Sequence, residues 1–90
     1  MGNQTTRIIT LDHLPVGQSA LVESIVDDGP VTKRLMEMGV VPGVKVRVIK
    51  SAPFGDPIEV RLMGYNLALR RQEAASVGVA VSEIAETAAI

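Results

Sequence analysis

One histidine, His13, stands beside Asp12, and cysteine is absent from the sequence. Transition-metal sites gather three or four His, Cys or carboxylate ligands. A lone histidine among scattered carboxylates predicts no metal centre, and His13 reads as a structural or surface residue. Without cysteine there are no disulfides, thiolate ligands or cysteine nucleophiles, which fits a reducing compartment. No paired carboxylates and no Ser/His/Asp set can be assembled. Neither a Gly-x-Gly-x-x-Gly nor a Gly-x-x-x-x-Gly-Lys-Ser/Thr loop is present to cradle phosphate. The residues therefore point away from an enzyme: no catalytic residue, cofactor-binding residue or metal ligand is assigned.

What remains is recognition chemistry. The formal net charge is −1, which argues against a general nucleic-acid binder. From Lys33 to Arg71, however, eight basic residues face three acidic ones, a local balance of +5. Such a centre could steer an acidic protein surface, although solvated outer faces of strands also account for it. Barrels that bind single-stranded nucleic acid stack bases on aromatic platforms, and here Phe54 and Tyr65 are the only aromatic residues. Two groups fit a protein contact better. Arg34, Leu35, Met36 and Met38 set adaptable apolar side chains beside charge. Leu35 and Met36 lie about 100° apart on a helix, so both cannot point into one core. An exposed methionine adapts to varied partners. The second group is Phe54-Gly55-Asp56, inside a seven-residue connection with a proline at each flank. Asp56 is expected to cap this turn through its own side chain, and Arg70 and Glu73 to form a local ion pair.

The elements that position these groups follow from hydrophobic periodicity. Val44 to Lys50 and Ile58 to Leu62 alternate apolar and polar residues, the mark of half-buried strands. Joined by Ala-Pro-Phe-Gly-Asp-Pro, they form a hairpin with Val44, Val46, Val48, Ile58, Val60 and Leu62 inward. Glu59 is expected to face Arg47 across it. A strand over Ser19–Val26 precedes them, with Ala20, Val22 and Ile25 inward. Asp-Asp-Gly-Pro then opens a helix over Val31–Met38, since proline suits a first helical turn. Gly39 ends the helix in the left-handed conformation, and Val31, Leu35 and Met38 share its inner face. Short strands are also predicted at Ile8–Thr10, Leu67–Leu69 and Val77–Val81, with a turn at Gly64-Tyr65-Asn66 and one helical turn within Arg70–Ser76. Residues 1–7 read as a flexible N-terminus, 8–81 as the folded domain and 82–90 as a tail. The polar N-terminus lacks the apolar core of a signal peptide, and no apolar run reaches the ~18 residues of a membrane span. Five to six short strands with one or two short helices describe an all-β, small barrel whose terminal strands pair and leave few edges open.

Several of these segments, in this order and spacing, resemble the FeoA family. They are Leu11-x-x-Leu14-x-x-Gly17, Arg34-Leu35-x-x-x-Gly39-x-x-Pro42-Gly43, Ala52-Pro53-Phe54-Gly55-Asp56-Pro57 and Leu67-Ala68-Leu69-Arg70-x-x-Glu73-Ala74. The resemblance implies an SH3-like barrel and a cytoplasmic, non-enzymatic accessory role in bacterial ferrous iron uptake. It implies docking on the cytoplasmic G-protein region of the FeoB transporter, modulating transport or GTP hydrolysis, with no nucleic-acid partner and no membrane insertion. Self-association is left open. The family is also connected with transition-metal ions, so a direct carrier or regulator of Fe(II) or another divalent ion is the alternative, and a small RNA-binding barrel a third. The expected partner-binding residues are Arg34, Leu35, Met36, Met38, Phe54, Gly55 and Asp56.

Overall fold

The computed structural model describes residues 6–26 and 29–82. Among the described residues there are six strands: β1 (Thr6–Thr10), β2 (Ser19–Ile25), β3 (Lys45–Ser51), β4 (Ile58–Leu62), β5 (Tyr65–Leu69) and β6 (Val77–Ser82). Helix α1 (Pro30–Glu37) stands between β2 and β3, and α2 (Arg71–Ala74) between β5 and β6. The strands form one antiparallel sheet in the order β1-β6-β2-β3-β4-β5. The predicted class, all-β with short helices, is the observed one. The terminal strands pair as expected, Thr6 lying opposite Ser82, while β1 and β5 form the two ends of the ladder. The first strand begins at Thr6 rather than Ile8. The flexible-start expectation for residues 1–5, the Asp27-Asp28 break and the tail at 83–90 lie outside the described residues.

An aliphatic core fills the sheet, as the shortage of aromatic residues requires. Val46 and Val48 of β3, Ile58, Val60 and Leu62 of β4, and Val77, Val79 and Val81 of β6 are all buried, with Leu35 and Val40 closing one side. Two β-bulges tune which side chains join them. The pairing of β2 shifts between Val22 and Ser24, so Glu23 is an extra residue and the face alternation resets. That is how Ala20, Val22 and the partly buried Ile25 pack on one side despite their odd spacing.

The register of β3 against β4 corrects the expected Glu59–Arg47 pair, and a second bulge sets which residue Glu59 meets. Arg47 lies opposite Arg61, and beyond Val48↔Val60 the ladder steps over Ile49 to Lys50↔Glu59. Glu59 instead meets Lys50, with Nζ 3.7 Å from Oε1. Like charges directly opposite one another are unfavourable. Arg61 answers this by donating to Asn66 Oδ1 at 2.8 Å and to the Gly64 carbonyl at 3.2 Å. The turn after β4 also differs from expectation. It consists of Met63 and Gly64, at φ 48° and 85°, with Leu62 paired to Tyr65. Two positive φ values match the twist of a two-residue hairpin, and this leaves Tyr65 and Asn66 in β5 rather than in the turn.

Candidate functional site

Helix α1 is built as its sequence dictates, within one residue of the expected bounds. Pro30 occupies its first turn, and Gly39 follows its end at φ 97°. The Gly39 amide donates to the Met36 carbonyl at 3.0 Å and the Val40 amide to the Leu35 carbonyl at 2.9 Å. This closure satisfies two carbonyls that a helix end otherwise leaves open, and it sets Val40 beneath Leu35 in the core.

That geometry sorts the four expected contact residues of α1. Leu35 is fully buried, so its expected place on a partner surface is corrected: it anchors the helix from below, where truncation to alanine costs ~2–5 kcal/mol. Met36, one step round the helix, is 49 % exposed. Met38 is partly buried and packs against the core. The Arg34 side chain is largely exposed, yet its Nη1 lies 2.9 Å from Glu73 Oε2. Glu73 is itself buried, and its Oε1 accepts the Arg70 backbone amide at 2.9 Å. The expected Arg70–Glu73 ion pair is thereby corrected: Glu73 caps the first turn of α2 through the Arg70 backbone and gives its charge to Arg34.

Two residues missed by sequence reasoning extend this surface. The Tyr65 hydroxyl donates to the Met38 carbonyl. A Cβ placed on Gly39 would stand 2.8 Å from the Tyr65 hydroxyl oxygen and 2.9 Å from Met63 Cε. Met63 and Tyr65 therefore lie over the end of α1, with Met63 64 % exposed. The signal was the Met-Gly dipeptide between two alternating runs, which a tight hairpin explains better than a longer turn.

The loop between β3 and β4 presents Phe54 wholly to solvent, at φ 71°. A non-glycine residue in that region is uncommon and is held there by its surroundings. The Gly55 amide donates to the Ala52 carbonyl at 2.8 Å, and the Ala52 amide to the Pro57 carbonyl at 2.9 Å. Asp56 does not cap its own turn, contrary to expectation. Its Oδ1 accepts the backbone amide of Arg71 at 2.9 Å, at the start of α2. The Arg71 guanidinium completes the brace, donating from Nε to the Gly55 carbonyl and from Nη1 to the Asp12 carbonyl, both at 2.7 Å.

One four-residue helix thus supports both expected contact regions. Through Glu73 it holds Arg34 of α1, and through Arg71 it holds the Phe54-Gly55-Asp56 loop. His13 is exposed, with Nδ1 2.9 Å from Thr10 Oγ1 and 3.5 Å from Asp12 Oδ1. Among the described residues no three His, Cys, Asp or Glu side chains gather to hold a metal. No helix among them is long and apolar enough to cross a membrane. The arrangement offers contact surfaces: methionine and tyrosine around the end of α1, and a braced aromatic tip.

A six-stranded antiparallel barrel of this kind falls in the SH3-like class. The FeoA of Stenotrophomonas maltophilia, solved in complex with zinc and described as a prokaryotic SH3-domain protein, is similar to it. The two share 39 % identity over 79 % of this chain and 88 % of that one, with a TM-score of 0.71. The chain belongs to the FeoA domain family, whose sequence profile matches residues 9–81. An FeoA-like protein from Clostridium acetobutylicum matches with a TM-score of 0.79 and 38 % identity, covering 86 % of this chain and 90 % of that one. A curated relative is the fusion of Fe(2+) transport protein A with the Fe(2+) transporter FeoB in Porphyromonas gingivalis, 39 % identical over 69 residues. Those residues are 77 % of this chain and only 8 % of the relative's length.

Proposed function

We propose that this protein is a non-enzymatic, cytoplasmic accessory factor of ferrous iron uptake. It docks on the cytoplasmic G-protein region of FeoB and modulates transport or GTP hydrolysis. The observation that carries this reading is the relative in which protein A and FeoB are one polypeptide. Fusion keeps two modules at high effective concentration, which serves a pair that works in contact. The docking face comprises Arg34, Met36 and Met38 with Met63 and Tyr65, and the Phe54-Gly55-Asp56 loop is the second contact. Leu35 supports the face without joining it.

The test is a pull-down of the FeoB cytoplasmic region, with and without a GTP analogue. Met36→Glu should abolish most retention while stability stays within about 0.5 kcal/mol, as for a surface change. Unchanged retention would remove α1 from the interface.

A second reading, direct binding of a divalent ion, is favoured by the zinc-bound relative from S. maltophilia. Asp12 and His13 alone supply fewer ligands than such ions take, so the ion would bridge copies or partners. Anaerobic calorimetry with Fe(II) separates the two: tight, stoichiometric uptake by the isolated protein supports the carrier.

A further inference from the structure

The basic surplus of the central segment is only partly spent inside the fold. Arg34 meets Glu73, Lys50 meets Glu59, and Arg71 is used on the Gly55 and Asp12 carbonyls. Lys45 and Arg47 differ: among the described residues neither side chain has an ion pair or a hydrogen bond. Both are exposed on β3, and Arg47 lies opposite Arg61 of β4. Arg61 donates to Asn66 Oδ1 and to the Gly64 carbonyl, which orients its guanidinium and leaves its charge uncompensated. Glu59, two places along β4, is already taken by Lys50 and by Asn66 Nδ2 at 2.7 Å. Lys45, Arg47 and Arg61 line one hollow of about 230 Å³ together with Ser19, Leu62 and Met63, and no carboxylate stands in its wall. Like charges held opposite one another are unfavourable, a cost that a bound anion relieves.

A second hollow, of about 330 Å³, adjoins the first and shares Ser19 and Lys45 with it. Its character is apolar. The register sets Ile8, Ala80 and Leu21 in one row across β1, β6 and β2, with Lys45 next on β3. Ile8 and Leu21 are each about half exposed. The parallel row of Ser19, Arg47 and Arg61 lies two residues further along the strands, roughly 7 Å away. An apolar row and a cationic row thus run side by side on one outer face.

We infer that this face binds an acidic, amphipathic segment of the protein partner. Carboxylates of that segment enter the hollow of Lys45, Arg47 and Arg61, and an apolar side chain of the same segment rests on Leu21 and Ala80. From Ala80 to Arg61 is three strand spacings, about 14 Å, the reach of four or five extended residues. Charge complementarity sets the sign of the ligand, and the apolar row selects a polypeptide over a simple anion. No aromatic side chain lines either hollow, so nothing on this face stacks a nucleobase. Hollows admit projecting side chains, whereas a flat headgroup surface does not reach into them. Met63 stands in the wall of the cationic hollow and also lies over the end of α1, which joins this face to the proposed docking face. The inference rests on the docking reading, with the FeoB cytoplasmic region as source of the segment.

Calorimetric titration with the FeoB cytoplasmic region, at low and at high salt, tests it. The double variant Lys45→Gln, Arg47→Gln should weaken binding roughly tenfold or more at low salt and flatten its salt dependence, since screening acts on the pairs that are lost. Lys50→Gln removes a charge outside the hollow and should change binding less than about twofold. Leu21→Gln should weaken binding to a similar degree at both salt concentrations. The melting temperature of Arg47→Gln should hold or rise, because no bond is lost and a repulsion is relieved; a fall would show the cations satisfied within the fold and overturn the inference. If the FeoB region binds wild type and all variants alike, the inference falls while the docking reading stands. If wild type does not bind it at all, both fall. Equal weakening per charge from Lys50→Gln would reduce the effect to general steering and overturn the site. An effect of the charge variants without one from Leu21→Gln would make the ligand a plain anion and overturn the amphipathic segment. Tighter capture of poly-uridylate or of phosphatidylserine vesicles than of the FeoB region would overturn it in favour of nucleic acid or membrane. Self-association that the double variant abolishes, with FeoB binding intact, would give the face to a second copy.

Discussion

Replacing Gly39 by alanine tests how the end of α1 is assembled. The residue sits at φ 97°, where an L side chain costs ~1–2 kcal/mol. The new Cβ would also lie 2.8 Å from the Tyr65 hydroxyl oxygen and 2.9 Å from Met63 Cε. Met63 ends in a flexible, exposed methyl that can swing aside. Tyr65 is a rigid ring whose hydroxyl caps the Met38 carbonyl, so moving it forfeits a hydrogen bond worth ~0.5–1.5 kcal/mol. The sum is about 1.5–3.5 kcal/mol, which in a domain of this size lowers Tm by roughly 6–28 °C. Urea and thermal unfolding followed by circular dichroism would measure it. The Tyr65→Phe background sharpens the test, because it has already lost the hydroxyl that Cβ displaces. There the Gly39→Ala cost should fall by about 0.5–1.5 kcal/mol, a coupling expected only between residues in contact. A loss under ~1 kcal/mol, or strict additivity of the two changes, would refute this account of the helix end.

Three further outcomes follow from the same geometry. Met63→Asn should raise stability by about 0.5–1 kcal/mol, since asparagine before glycine suits a two-residue turn with positive φ. The same change should weaken FeoB retention if the proposed docking face is right, because it removes an exposed methionine from it; urea midpoints and pull-downs read the two effects separately. Arg71→Met should cost about 2–4 kcal/mol through two lost charge-assisted hydrogen bonds. It should also speed exchange of the Gly55 amide well beyond that of the β6 amides. Phe54→Ser should leave Tm unchanged, since the ring is wholly exposed, and lower FeoB retention; intact retention would take the loop out of the interface.

The strands were legible because each carries its own evidence: alternation in β3, β4 and β6 names the inward residues without reference to the rest of the sequence. Helix α1 was legible for the same reason, with a proline at its start and a glycine after its end. What sequence could not show was how segments address one another. Ile49 looks like any strand residue, yet as the unpaired member of a bulge it shifts Glu59 by one place, onto Lys50. Asp56 resembles a turn-capping aspartate, but its acceptor serves an amide 15 residues away. Glu73 has Arg70 at helical spacing and nonetheless pairs with Arg34. In the last two cases the local choice is chemically sound, and a more distant one wins because the fold brings it closer. Of the proposed contact residues, Arg34, Met36, Met38 and the Phe54-Gly55-Asp56 loop were named from the sequence. Met63 and Tyr65 were missed because their place among them depends on the Leu62↔Tyr65 register.

The grip of Arg71 has an evolutionary corollary. It holds backbone oxygens at positions 12 and 55, atoms that every amino acid supplies. The exposed Phe54 side chain can thus be exchanged without slackening the fastening, a replaceable fitting on a permanent mount. Descendants of such a scaffold can change what the tip presents, with no need to reinvent the barrel that carries it.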